Sequence, residues 1–139
     1  MHHIKFKDCN FHDSVVKDIT YHNEILTFYI PESHYENTYN NTKVEFPVSE
    51  YDFDIYCLKR YLRFKKVKLK GEEIQLTKLS KMMQKGMVLE IVDFFVTSNS
   101  QLLFECNCFP YEPRRGVITK IFFTIKHSGD CLIFKGINE

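Results

Sequence analysis

Four stretches of this chain can each fold back on a neighbour across a short turn so that apolar residues meet apolar residues. Agreement of two arms in one register is a demanding condition, because a slip of one residue turns every side chain to the opposite face. Residues 15–22 and 25–30 flank Asn23-Glu24 and pair Tyr21 with Leu26 and Ile19 with Phe28. Asn23 tolerates the left-handed backbone that a two-residue hairpin turn requires. Asp18, Thr20 and His22 then fall on the wetter face. Residues 64–70 and 73–76 flank Gly71-Glu72, which pairs Leu69 with Ile74 and Val67 with Leu76. Residues 88–97 and 101–109 flank Ser98-Asn99-Ser100 and pair Val96 with Leu102, Phe94 with Phe104 and Val92 with Cys106. Residues 117–126 and 131–136 flank residues 127–130 and pair Ile125 with Leu132 and Phe123 with Phe134. The expected fold is mainly β: an antiparallel meander built into a single sheet, a sandwich or a half-barrel, as one domain over residues 1–139.

Composition agrees with that reading. The chain has no Ala and no Trp, and its apolar content comes from large side chains, 13 Phe and 8 Tyr among them. Ala is the best helix former, whereas aromatic and β-branched residues suit a pleated surface. One short helix is expected near residues 77–85. Thr77 can cap its start, Gly86 suits the left-handed residue after its end, and Leu79, Met82 and Met83 recur at helical spacing. Segment 50–62 carries both a strand alternation (Phe53, Ile55, Cys57) and a helix stripe (Tyr51, Ile55, Leu58, Leu62), with Ser49 and Asp52 resembling a capping box. The strand is favoured on composition. Residues 32–42 read as a polar loop, and the four prolines sit at segment ends, where strands tolerate them.

No apolar run reaches the roughly 18 residues of a membrane span, and Met1-His2-His3-Ile4-Lys5 leads into no apolar stretch of the signal-peptide kind. Five Cys, an odd number, then suggest reduced thiols in a cytoplasm. Cys106 and Cys108 alternate onto one strand face as small apolar groups. The six His show no ligand spacing, with His2 and His3 read as a frayed terminus, so no metal and no cofactor are expected. His12 beside Asp13 invites an acid–base reading. Neighbouring strand residues face opposite ways, however, so both are assigned to a structural turn. With no glycine-rich phosphate loop and no nucleophile motif, the chain is read as a non-enzyme.

Charge is segregated although the net is only +1. Residues 32–54 carry a net −5, through Glu32, Glu36, Glu45, Glu50, Asp52 and Asp54 against Lys43. Residues 55–70 carry +7 and contain the alternating Lys66, Lys68 and Lys70. A lysine-rich strand can bind phosphates, and it also protects a sheet edge from aggregation.

The stretch Phe11-His12-Asp13-Ser14-Val15-Val16, followed by a hairpin ending Ile25-Leu26-Thr27-Phe28-Tyr29-Ile30, resembles the start of small bacterial proteins of the immunity-protein 50 type. The resemblance covers about 20 residues and implies a small, cytoplasmic, β-rich protein that protects its cell by binding a cognate toxin. It carries no catalytic residues. The expected function is therefore a protein-binding module that neutralises a toxin by occlusion. Glu45, Glu50, Asp52 and Asp54 are the expected contacts, and no membrane is involved. Nucleic-acid or small-ligand binding through Lys66, Lys68 and Lys70, beside Tyr61 and Phe64, is the less favoured alternative. A homodimer through a sheet edge and a structural role also stay open.

Overall fold

The hairpin around Asn23-Glu24 takes the register that the apolar alternation predicts, with Ile19 opposite Phe28 and Tyr21 opposite Leu26. Both turn residues are left-handed, with φ of 52° and 60°. In the computed structural model, which describes residues 2–5, 11, 13–33, 41–96, 101–110, 119–126 and 130–135, this hairpin belongs to a two-sheet β-sandwich. The strands are β1 (His2–Lys5), β2 (Ser14–Val16), β3 (Asp18–His22), β4 (Ile25–Ile30), β5 (Glu32–Ser33), β6 (Thr42–Pro47), β7 (Phe53–Arg63) and β8 (Lys66–Ile74). Then follow the helix α1 (Leu76–Gln84), β9 (Met87–Val96), β10 (Gln101–Pro110), β11 (Thr119–Lys126) and β12 (Asp130–Lys135). A five-stranded sheet has the order β1-β12-β6-β4-β3 and a seven-stranded sheet the order β5-β2-β9-β10-β11-β7-β8, with every pairing antiparallel.

The first hairpin bends through both sheets. Beyond Lys17 and Pro31 its arms continue as β2 and β5, which pair Val15 with Glu32 in the seven-stranded sheet. Strands that switch sheets make the corners of such sandwiches. The inner faces meet through aromatic rings. Phe28 lies 5.1 Å from Phe46 on its own sheet, and 5.5 Å and 5.3 Å from Phe104 and Phe123 on the facing one. Phe11, ahead of β2, is buried and sets its ring 5.6 Å from both Phe94 and Phe104. With no Ala available, large side chains fill the space between the sheets.

Three of the predicted registers are corrected. The turn expected at Gly71-Glu72 lies instead at Phe64-Lys65, which closes β7 against β8 with Arg63 opposite Lys66 and Leu58 opposite Gly71. Gly71 is thus a mid-strand residue, and Leu76 starts the helix instead of pairing with Val67. The pairing of Val92 with Cys106 fails because a bulge between Glu105 and Cys106 brings Ile91 opposite Cys106. The bulge reconciles two parities: Phe94 and Phe104 share the core face on one side of it, and Leu89 and Ile91 share it with Cys108 and Cys106 on the other. The turn residues 98–100 lie outside the described residues. Finally, β11 and β12 do not pair. Both edges of β11 are taken by β10 and β7, and β12 crosses to the other sheet between β6 and β1.

Segment 50–62 forms a strand from Phe53, and Ser49 closes a turn by accepting from Asp52 N at 2.9 Å. The helix runs as expected in length, but Gln75 precedes it without a side-chain cap and Thr77 sits inside its first turn. Gly86 ends it at φ 96°, where a Cβ would be strained. Strands β1, β5 and β6 depart from the expected elements: His2 and His3, read as a frayed terminus, pair with β12, Glu32 and Ser33 at the start of the polar loop form β5, and Thr42 at its end begins β6. The rest of that loop, residues 34–40, lies outside the described residues.

Gly71 lies under the ring of Tyr56, which reaches it diagonally from β7, so a Cβ there would collide with the phenol. An aromatic side chain covering a glycine of an edge strand compensates for the packing that the glycine lacks. Gly71→Ala should therefore stabilise a Tyr56→Ser protein by about 0.5–1 kcal/mol, the glycine's backbone entropy, and gain less in the wild type, where the phenol must give up its place over the strand. Urea unfolding of the four proteins in this cycle measures the difference. Equal effects in both backgrounds would remove the ring from the account.

Candidate functional site

Tyr21, the last apolar residue of β3 before the turn, ties the two sheets together at one end. Its hydroxyl donates to the Val48 carbonyl at 2.8 Å, and its ring packs 5.2 Å from Phe53 at the start of β7. The connecting segment, residues 48–52, is held at both ends: Val48 N donates to Glu24 O at 2.9 Å and Lys126 N to Asp52 O at 2.7 Å. On the other side α1 lies against β3, buries Leu79 and Met83, and places Ser80 Oγ 3.5 Å from the Ile19 carbonyl.

Between these elements lies an open groove of about 1070 Å³. Asp18, Glu50, Asp54 and Glu73 line it, and among the described residues Lys81 is its one lining cation. Tyr21, Tyr51 and Phe53 add aromatic surface, Tyr51 being 82% exposed. Asp54 is partly neutralised by Lys126 at 3.8 Å, and Asp18 accepts from the Ile19 amide beside it at 2.9 Å. Burial pushes the Tyr21 hydroxyl above its ordinary pKa, and the charges of Glu24, Glu50 and Asp52 push it the same way. Tyr21 therefore stays a neutral donor at physiological pH, set in a negative field.

Of the four acids that the sequence singles out, the structure brings Glu50 and Asp54 into the groove and Asp52 into the exposed loop between them. It does not bring Glu45. That residue lies in β6, two strands from β3 in the five-stranded sheet, and pairs with Lys43 at 3.5 Å. Asp18 and Glu73 are groove acids that sequence reasoning missed. Asp18 was readable as the outward face of the first hairpin. Glu73 was hidden by the misplaced turn.

Lys66, Lys68 and Lys70 are exposed on β8, an edge strand of the seven-stranded sheet. At the base of this strand Glu72 meets Lys78 of the helix at 3.2 Å. That hydrogen bond and charge, aided by Lys70 and Lys59, hold the Glu72 carboxyl below its usual range.

The remaining candidates occupy structural positions. Asp13 is left-handed, with φ 61°, in a turn closed by Ser14 N donating to Phe11 O at 3.0 Å, and its own amide donates to Ile91 O at 2.8 Å. His12, its neighbour, lies outside the described residues. Cys57, Cys106 and Cys108 are free and buried. Burial pushes all three thiols up, Cys108 to about 11, which disfavours the thiolate that nucleophilic or metal-binding chemistry needs. Among the described residues no group of three His, Cys, Asp or Glu is placed to hold a metal, and no helix is long and apolar enough to cross a membrane.

No family model, curated protein or solved structure matches the chain.

Proposed function

We propose that the protein is a non-enzymatic binding module whose contact face is the acid-lined groove between β3, the 48–52 loop and α1. The observation that carries this reading is the convergence of Asp18, Glu50, Asp54 and Glu73 around one opening that has, among the described residues, a single lining cation. The groove's walls are paired strands, a docked helix and a loop whose two ends are held by backbone hydrogen bonds, so little conformational entropy is lost when a partner seats on them. Its tyrosines and Phe53 offer rigid amphipathic contact area, the kind that dominates binding energy at protein interfaces. The partner such a surface fits is a basic protein. Complementary charge accelerates the encounter, and occlusion of the partner's working surface is then sufficient for inhibition.

The specific form favoured is a cytoplasmic immunity protein that neutralises a cognate toxin, supported by the resemblance over residues 11–30. Tagged protein incubated with lysate of the native host should retain one stoichiometric basic protein. Glu45→Lys should retain it equally, because Glu45 lies away from the groove. The triple variant Glu50→Lys/Asp52→Lys/Asp54→Lys should lose it by at least about tenfold, since reversed charges oppose both encounter and seating. Equal recovery on the triple variant would place the contact elsewhere.

A further inference from the structure

We propose that the distal β7–β8 hairpin is an arm that binds single-stranded nucleic acid along one cationic face. Among the described residues β11 pairs with β7 as far as Leu58, whereas β7 and β8 continue to pair with each other out to Arg63 and Lys66. Among those residues, 59–70 form a two-stranded ribbon beyond the β11 pairing.

In an antiparallel pair, residues directly opposite share a face. The register sets Lys59 opposite Lys70, Tyr61 opposite Lys68, and Arg63 opposite Lys66. Five basic positions and one tyrosine position thus occupy one face, in three successive rows. The other face carries Val67 and Leu69, 49% and 66% exposed, opposite the Leu62 and Arg60 positions. The strand alternation of Lys66, Lys68 and Lys70 is half of this arrangement, and the paired strand supplies the other half.

Like charges directly opposite each other are destabilising in a sheet. Two of the three rows pair cation with cation, and Glu72, the next acid along β8, is engaged with Lys78 at the base. Binding of a polyanion would relieve this repulsion. Successive rows are about 6.7 Å apart along the strands, a spacing that suits the phosphates of an extended single strand. The tyrosine position in the middle row suits base stacking. The arm also lies outside the acidic groove, so the two surfaces can be tested separately.

The test is fluorescence anisotropy with a labelled 20-nucleotide oligo-dT between 50 and 200 mM salt. If all five cations contact phosphate, log K should fall against log salt with a slope of about −3.5. Lys66→Gln/Lys68→Gln/Lys70→Gln should reduce the slope by about 2 and weaken binding about 100-fold at 0.1 M salt. Lys17→Gln/Lys85→Gln/Lys126→Gln, with the same change in net charge, should bind as the wild type does. Circular dichroism on each variant controls for folding, and the wild-type slope stands without any variant. The proposal is overturned by absence of oligo-dT binding at 50 mM salt, or by equal losses in both lysine triples. It is also overturned if the arm binds phosphatidylserine vesicles and not the oligonucleotide, or only assembles copies of the chain.

Discussion

Phe28→Ala should cost about 3–5 kcal/mol of unfolding free energy, the range for deleting a buried ring whose site collapses only partly. Phe28 is 1% exposed and meets Phe46, Phe104 and Phe123 within 5.5 Å, so it joins the two sheets through two ring pairs at once. The loss includes the transfer term for the ring, the cavity it leaves, and the edge-on and tilted aromatic pairs, each worth about 0.5–1.5 kcal/mol. A domain holds only about 5–15 kcal/mol in total, so this one change removes a large part of it. The paired control is Phe95→Ala on the exposed end of β9, with Phe95 50% exposed, where the cost should stay within about 1 kcal/mol. Urea titration of both, with the slope unchanged and the midpoint lowered for Phe28→Ala, is the measurement. Similar losses at the two positions would mean that the sheets do not pack through this cluster.

The first hairpin was legible because two independent signals agree in it: an Asn that accepts the left-handed turn and apolar pairs on one face. The second hairpin misled for a physical reason. Its turn residues, Phe64 and Lys65, hold φ of 53° and 62°, a conformation that costs bulky L-residues and that no sequence rule assigns to them. Gly71, a few residues on, offered conventional turn chemistry and is instead a glycine roofed by Tyr56. The bulge in β9 was written in the sequence as a change of parity between Ile91 and Phe94, but a hairpin tested as one unbroken register passes over it. The separation of β11 from β12 could not be read locally at all. Both strands alternate correctly, and only competition among distant partners sends them to different sheets. The candidate groove shares this property. Glu50, Asp52 and Asp54 are neighbours in sequence and were found as a charge block, whereas Asp18 and Glu73 join them only through the fold. The same block misplaced Glu45, because charge counted along a chain ignores which sheet each residue enters.

The thiols of Cys106 and Cys108 should be alkylated by iodoacetamide at least about 10³-fold more slowly in the native protein than in denaturant at the same pH. Both lie on the core face of β10, in the stretch that pairs with β9 and β11, so reaching them requires opening the sheet. An opening that costs about 5 kcal/mol corresponds to more than three decades of protection. Mass mapping of the modified peptides assigns the rate to each cysteine. The same burial makes a prediction about pH. The folded state raises the Cys108 thiol from its ordinary 9.0 to about 11, and Cys106 also shifts upward. A raised pKa means that the folded chain holds the proton more tightly. The stabilisation is therefore complete below pH 9, where both states are protonated, and is lost as pH rises from 9 toward 11, where the unfolded chain ionises first. Urea midpoints across pH 8–10.5 should fall, and Cys106→Ala/Cys108→Ala should flatten that fall while lowering the midpoint at pH 8. If the double variant keeps the full alkaline slope, lysine and tyrosine ionisation carries it. If the native thiols react at the denatured rate, the core face of β10 is open to solvent and the thiolate chemistry set aside above returns.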